Sequence, residues 1–465
     1  MNILFISSEF HPFAKAGGLA DAVSSLSQAL ALRGHRVSVV MPRYGAISVE
    51  GMTDLEVPLG VPLGYREEWC GVFHRRYRDV DVYLLEHRGL FGDRPGIYGP
   101  SPAAAYHDNA RRFAFLSRGA LQLALALKLR PAVIHAHDWP SALVPMMVNL
   151  AYRPTDHFRN ARVVFSIHNI GYQGVFGQHD AAESGLYHGQ KINYLKSAVA
   201  HADSIVTVSP RYALEIQQPR FGFGLHREIQ ARGPRVHGVL NGIDTTEWDP
   251  ATDTLIPAPY SAADMSGKET NKAELQTAMG LPEDPSVALI GMITRLVDQK
   301  GVRSLFSPGQ AAVYRLCREL PVQVVLLGSG EAWVEKEVRR YMDELPNFRA
   351  VVGYDNALAH HIEAGSDFFL MPSVYEPCGL NQMYSMRYGT LPIVTRTGGL
   401  ADTVDADTGF LIQEATPEAI FAAVEHAVHL HRTQPDRIRT MRTTAMARDF
   451  SWGPSAARYE ELYSS

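Results

Sequence analysis

The chain has 465 residues, of which 46% are hydrophobic and 20% charged. That is the balance of a globular chain and excludes a disordered or fibrous one. A single core stops growing near roughly 250–300 residues, so two large domains or three ordinary ones are expected. Forty-four Lys and Arg against 49 Asp and Glu leave a net charge of -5, which argues against a general nucleic-acid binder. Met1–Ile6 lacks a basic flank and runs into Glu9 and His11, unlike a secretory signal. No stretch reaches the about 20 apolar residues of a membrane span. Cys70, Cys317 and Cys378 are odd in number and show no CxxC spacing, so a reducing cytoplasm without disulfides is expected.

In chain order, Asn2–Ser7, Arg36–Pro42, Asp81–Glu86, Ala132–Ala136, Arg162–His168 and Ser204–Val208 read as strands. They are near-continuous apolar runs, as buried parallel strands are. Between the first two, Leu19, Ala22, Val23, Leu26 and Leu30 recur at helical spacing, and Gly34 stands where the helix would stop. Residues 241–285, rich in Pro, Asp, Thr and Ala, read as a connection. A second strand set follows: Val287–Thr294, Gln323–Gly328, Arg349–Gly353, Phe368–Pro372, Leu391–Thr395 and Gly409–Ile412. Thr416-Pro417-Glu418 opens a helix running to about His431. The stretch from Phe450 to Tyr463 has no strand of its own and is expected to pack on something already built. This alternation predicts two doubly wound α/β domains, 1–245 and 246–446, with a tail, 447–465. Their ligands should bind beyond the strands' carboxyl ends.

The chemistry-bearing motifs do follow strands. Lys15-Ala16-Gly17-Gly18-Leu19-Ala20-Asp21 lets the backbone approach a ligand and offers helix N–H groups to an anion. It is not GxGxxG, so a dinucleotide fingerprint is unsupported. Arg295, Lys300 and the turn between them place two cations where a diphosphate would sit. In Tyr375-Glu376-Pro377-Cys378-Gly379-Leu380, Gly379 and Leu380 are expected to begin a helix whose N–H groups can bind phosphate, and the carboxylate before it can act on a sugar or merely cap the helix. Thr397-Gly398-Gly399-Leu400-Ala401-Asp402 reads as a second anion-binding turn. His168 and Asn169 end another strand. His135 and His137 share one strand face with metal-ligand-like spacing, but no third ligand cluster accompanies them.

Taken in order over essentially the whole length, this set resembles the bacterial glycogen synthase and plant starch synthase family. It includes also Asp108-Asn109 with Arg112-Phe113, His137-Asp138-Trp139, Thr207-Val208-Ser209-Pro210, Leu240-Asn241-Gly242-Ile243-Asp244 and Met386-Arg387-Tyr388-Gly389. The resemblance implies a retaining glucosyltransferase of GT-B architecture, with two Rossmann-like domains facing a central cleft. It implies ADP-glucose and an α-1,4-glucan (glycogen) as substrates, with no cofactor or metal and neither nucleic acid nor membrane as partner. By the resemblance, Lys15 and Gly18 contact the donor, while Asp21, His168 and Asn241 face its sugar. Arg295 and Lys300 neutralise the diphosphate, Tyr354 stacks on the base, and Glu376 is the catalytic carboxylate. Thr397, Gly398, Gly399 and Leu400 complete the phosphate cradle, Cys378, Gly379 and Leu380 join the substrate-binding residues, and the C-terminal tail returns to the first domain. Many retaining GT-B enzymes carry a second Glu eight positions after the first. Here that position is Tyr384, as in the glycogen and starch synthase branch. The alternatives are a sucrose-synthase-type transferase, a metal hydrolase built on His135, His137 and Asp138, and a catalytically dead glucan-binding protein.

Overall fold

Burying one Val, Leu, Ile or Phe side chain contributes about 1.5–3 kcal/mol, so unbroken apolar runs dominate strand choice. In a computed structural model of the chain, those runs become the central strands. The structure describes residues 1–101, 104–183, 191–309 and 311–465. It divides into two units, residues 1–242 with 452–465, and residues 243–451. The sequence reading put the corresponding breaks after 245 and 446.

The first unit is built on β1 (Asn2–Ile6), β2 (Arg36–Pro42), β3 (Thr53–Asp54), β4 (Leu59–Leu63), β5 (Arg66–Tyr77), β6 (Val80–Glu86), β7 (Val133–His137), β8 (Arg162–Ile167), β9 (Val175–Phe176), β10 (Ile192–Asn193), β11 (Ser204–Thr207) and β12 (Val236–Gly238). The sheet order is β12-β11-β8-β7-β1-β2-β6-β5-β3, with β4 on β5. From β12 to β6 the pairs are parallel, but β5 runs antiparallel to β6, β4 and β3. This antiparallel edge departs from the all-parallel expectation. Arg66–Tyr77 has no apolar run; its faces alternate and one is largely solvated, which sheets of this kind tolerate and parallel cores do not.

The segment after Phe450 forms a helix, Trp452–Ser464, in the first unit. It packs on the helix Gly18–Leu32, whose Leu19, Ala22, Val23, Leu26 and Leu30 are buried. Glu460 bridges Arg33 at 2.6 Å and His35 at 2.7 Å, and the Tyr463 hydroxyl meets His135 Nδ1 at 2.7 Å.

The second unit holds β13 (Ala288–Ile293), β14 (Val322–Gly328), β15 (Phe348–Val352), β16 (Phe368–Met371), β17 (Leu391–Thr395) and β18 (Phe410–Ile412), ordered β15-β14-β13-β16-β17-β18 and parallel throughout. This is the 3-2-1-4-5-6 order of nucleotide-binding folds, and its reversal point lies between β13 and β16. Residues 241–285 are not merely a connection. They contain the helix Ser266–Ala278, which packs on the helix Asn356–Gly365. Its inner face is polar: Lys268 Nζ donates to the Ala364 and Tyr388 carbonyls and to Thr390 Oγ1, and Lys272 pairs with Asp367 at 2.7 Å. A helix that buries lysines hides its periodicity from a hydrophobic reading. Among the described residues, no helix is long and apolar enough to cross a membrane.

Candidate functional site

In the first unit, β1, β7 and β8 lie side by side and send their carboxyl ends to one edge of the sheet. β1 leads through Glu9 to the turn Lys15–Gly18 and the helix Gly18–Leu32. Lys15, Gly17 and Gly18 are exposed, and Lys15 Nζ pairs with Asp21 at 2.8 Å. A Cβ built on Gly17 would meet no atom within 4 Å, and its φ of -163° is open to any residue. Neither the fold nor its packing demands glycine there, which leaves close approach by a ligand as the physical use of the missing side chain.

β7 ends in His137 and Asp138. Asp138 is a non-glycine residue at φ 56° and ψ 178°, a conformation that costs on the order of 1–3 kcal/mol and clusters at functional sites. Its Oδ1 accepts the backbone N–H of His168 at 2.9 Å and of Asn169 at 3.3 Å, fixing the turn after β8. Burial pushes its carboxyl up to about 7 against these two hydrogen bonds. The sequence gives Asp138 a role only in the metal-hydrolase alternative; its part in fixing this turn shows in backbone strain, which residue types do not carry. Burial also lowers His168 to about 3, so its imidazole is neutral at pH 7, and its Nε2 lies 3.2 Å from His137 Nδ1. Asn241 is buried after β12, its N–H donating to the Val208 carbonyl.

His135 and His137 do lie together, ring centroids 4.0 Å apart and tilted by 32°. His135, however, spends both nitrogens on Tyr463 and Ser166, at 2.7 Å each. Among the described residues, no three His, Cys, Asp or Glu side chains are placed to hold a metal ion. His135 therefore anchors the C-terminal helix.

In the second unit, the loop after β13 and the loop after β16 meet across the reversal point. Lys300 Nζ lies 2.5 Å from Glu376 Oε2, and the Ser373 hydroxyl donates to the same oxygen at 2.9 Å. Glu376 is only 5% exposed. The loops are locked by main-chain contact: Val374 N–H donates to the Gln299 carbonyl, and Gly399 N–H to the Glu376 carbonyl. Gly398 sits at φ 42°, and a Cβ on it would lie 1.8 Å from the Glu376 carbonyl oxygen; one on Gly399 would lie 2.2 Å from that of Cys378. Thr397, Gly398, Gly399 and Leu400 are all buried. From sequence this Gly-Gly pair is expected to form an anion-binding turn. In the structure, its glycines let one loop lie flat on another, so that the Glu376 backbone is held from behind. Cys378 is buried, and the helix expected to begin at Gly379-Leu380 starts at Asn381, with Leu380 as its cap. Arg295 stands exposed after β13 with no ion-pair partner among the described residues, and Tyr354, following β15, is 81% exposed. A free guanidinium and a bare aromatic face on one sheet edge suit a phosphate and a base.

Comparison with known proteins gives this arrangement relatives. The starch synthase catalytic domain family matches residues 2–231, and the glycosyl transferases group 1 family matches residues 287–429. The glycogen synthase of Treponema denticola is 44% identical over 482 residues, covering 100% of this chain and 98% of its own. That of an Anaeromyxobacter species is 46% identical over 483 residues, covering 100% and 99%. Among solved structures, the catalytic domain of starch synthase IV from Arabidopsis thaliana, bound to ADP and acarbose, superposes with a TM-score of 0.90 at 33% identity, covering 100% of this chain and 98% of that one. Sucrose-phosphate synthase from Thermosynechococcus elongatus shares the fold, with a TM-score of 0.63 at 17% identity.

Proposed function

The chain belongs to the glycogen synthase family of glycosyltransferases, and from that premise we propose that it transfers glucose from ADP-glucose to the non-reducing end of an α-1,4-glucan, with retention of configuration. The observation that carries the reading is the Lys300–Glu376 pair at the reversal point of the second sheet. A cation and a carboxylate in contact are what the reaction uses once a donor separates them. Breaking the bond between sugar C1 and the diphosphate oxygen builds negative charge on the leaving phosphate and positive charge on the ring. Lys300 and Arg295 meet the first charge, and Glu376 the second. The acceptor hydroxyl loses its proton as its oxygen bonds C1, and the leaving diphosphate is the base that charge balance provides.

Lys15, Gly18, Asp21, Asn241 and neutral His168 serve the donor and its sugar hydroxyls, and Tyr354 is the platform for the base. Support for adenine comes from the ADP held by the Arabidopsis relative. ADP-glucose is a substrate, no resident cofactor takes part, and the cytoplasm is the setting. The assay offers labelled ADP-glucose and UDP-glucose with glycogen and counts label in polymer. Incorporation from ADP-glucose, released by an α-1,4-specific glucanase, is expected; no incorporation from either donor overturns the reading. Glu376→Ala should lower kcat by orders of magnitude with circular dichroism unchanged, and normal turnover would remove Glu376 from the mechanism.

A further inference from the structure

The Lys15–Gly18 turn has few side-chain contacts of its own that could give it shape: its residues are exposed, and a Cβ on Gly17 would meet no atom within 4 Å. Behind it lies Glu9, 3% exposed on the segment leaving β1. Its Oε2 accepts the backbone N–H of Ala16 at 2.6 Å and of Gly17 at 3.1 Å, and its Oε1 accepts the Tyr98 hydroxyl at 2.5 Å. Tyr98 is fixed in turn, its hydroxyl 2.9 Å from Ser8 Oγ and its carbonyl accepting from Asn109 Nδ2 at 2.8 Å. Asn109 Oδ1 accepts from Arg112 Nη1 at 2.6 Å, and the fully buried Arg112 also donates to the Leu90 and Ile97 carbonyls. One hydrogen-bonded strut thus runs from a buried guanidinium to two amides of an exposed turn.

Folding alone does not explain Glu9. Ala16 and Gly17 lie at the surface, where water would satisfy their N–H groups. A buried carboxylate costs several kcal/mol of desolvation before its bonds repay it, and burial raises the Glu9 pKa despite the Tyr98, Ala16 and Gly17 bonds. What a two-oxygen acceptor adds is direction: it draws two consecutive amides inward, which fixes where Lys15 and the backbone of Gly18 stand. We propose that Glu9, braced by Tyr98, is the positioning residue of this turn, setting donor affinity through the place of Lys15 and Gly18 without touching the donor itself. The proposal rests on the reading that this turn meets the nucleotide sugar.

Steady-state kinetics varying ADP-glucose and glycogen separately test it on full-length Glu9→Ala, Glu9→Gln, Tyr98→Phe and Lys15→Ala, with thermal melting of each. Two lost hydrogen bonds of ordinary net worth translate into a donor KM raised on the order of tenfold in Glu9→Ala. The glycogen KM should stay near its original value. Glu9→Gln keeps an oxygen for the two amides and turns its NH2 to the Tyr98 oxygen, so it should restore most of the donor affinity. Tyr98→Phe, which keeps the ring and frees one carboxylate oxygen, should fall between. If Lys15→Ala raises the donor KM and Glu9→Ala and Tyr98→Phe do not, the positioning role is wrong while the donor turn stands. If Lys15→Ala leaves the donor KM unchanged, the donor turn itself is wrong. Equal effects of Glu9→Ala on both KM values, or no rescue by glutamine, would mark Glu9 as merely structural. Should Glu9→Ala melt before assay, Tyr98→Phe and Glu9→Gln decide between the same outcomes.

Discussion

Gly17 and Gly398 belong to motifs of nearly the same spelling, Gly-Gly-Leu-Ala-Asp, yet the structure gives them opposite reasons. A Cβ on Gly398 would collide with the Glu376 carbonyl at 1.8 Å, whereas a Cβ on Gly17 would enter open space. Gly398→Ala should therefore lower the melting temperature and activity together, because it pushes the carboxylate's own backbone. Gly17→Ala should leave the melting temperature within about 2 °C, the scale of a small surface change, and raise the donor KM. A drop in melting temperature as large as that of Gly398→Ala would mean that Gly17 is needed by the fold. This difference is invisible in the sequence, where both turns follow a strand and open a helix. Glu9 and Asp138 were equally illegible as positioning groups. Each acts by accepting two backbone N–H groups, a property of the path of the chain and not of any spacing between side chains.

At the scale of elements, strand position was legible wherever both faces are apolar: β1, β7 and β13 through β18 lie within a residue of their expected bounds. What escaped was structure that buries polar groups or only one face, namely the helix Ser266–Ala278 and strand β5. Tyr384 shows how such structure bears on the site. On the helix Asn381–Arg387 its ring stacks on Trp248 at 3.9 Å and 13°, and His360 stacks on Trp248 at 3.9 Å and 10°. His360 and Tyr388 both hydrogen-bond Asp253 Oδ2, at 2.7 and 2.6 Å. Eight positions after Glu376, this chain uses the ring to tie residues 248–253 onto the helix that follows that carboxylate. Aromatic pairs contribute about 0.5–1.5 kcal/mol beyond their buried area. Tyr384→Ala should thus lower the melting temperature of the second unit by several degrees, whereas Tyr384→Phe keeps the stack and most of the stability. An unchanged melting temperature in Tyr384→Ala would show the stack to be idle.

Across the whole molecule, the two units differ in how they meet acid. In the first, burial lowers the pKa of His135, His137, His168, His201 and His237. A histidine lowered on folding favours the folded state above its unfolded pKa of about 6.5, and that contribution drains as pH falls toward the folded value. Asp138, raised to about 7, and Glu9, also raised, act the other way, favouring the fold as pH falls, but they are two groups against five. In the second unit, Glu363, raised by burial to about 8, likewise gains on acidification. Burial alone would raise Asp367, yet His431, Lys272 and Arg442 hold it well below the ordinary range. Its contribution is therefore kept above the unfolded aspartate pKa of about 3.9 and lost only beneath it. Buried Lys268, lowered well below the ordinary lysine range, loses its contribution to the second unit as pH falls below about 10.5. It is one group, so between about pH 6.5 and 4.5 the first unit, with its five lowered histidines, should weaken ahead of the second. Incubation at stepped pH, then brief hydrogen exchange read by mass spectrometry, checks this. Peptides from residues 1–242 are expected to lose protection first. Those from 452–465 should go with them, since Tyr463 hydrogen-bonds His135 and the helix Trp452–Ser464 belongs to the first unit. Loss of protection in 243–451 first, or in 452–465 together with 243–451, would overturn both the charge argument and the assignment of the last helix.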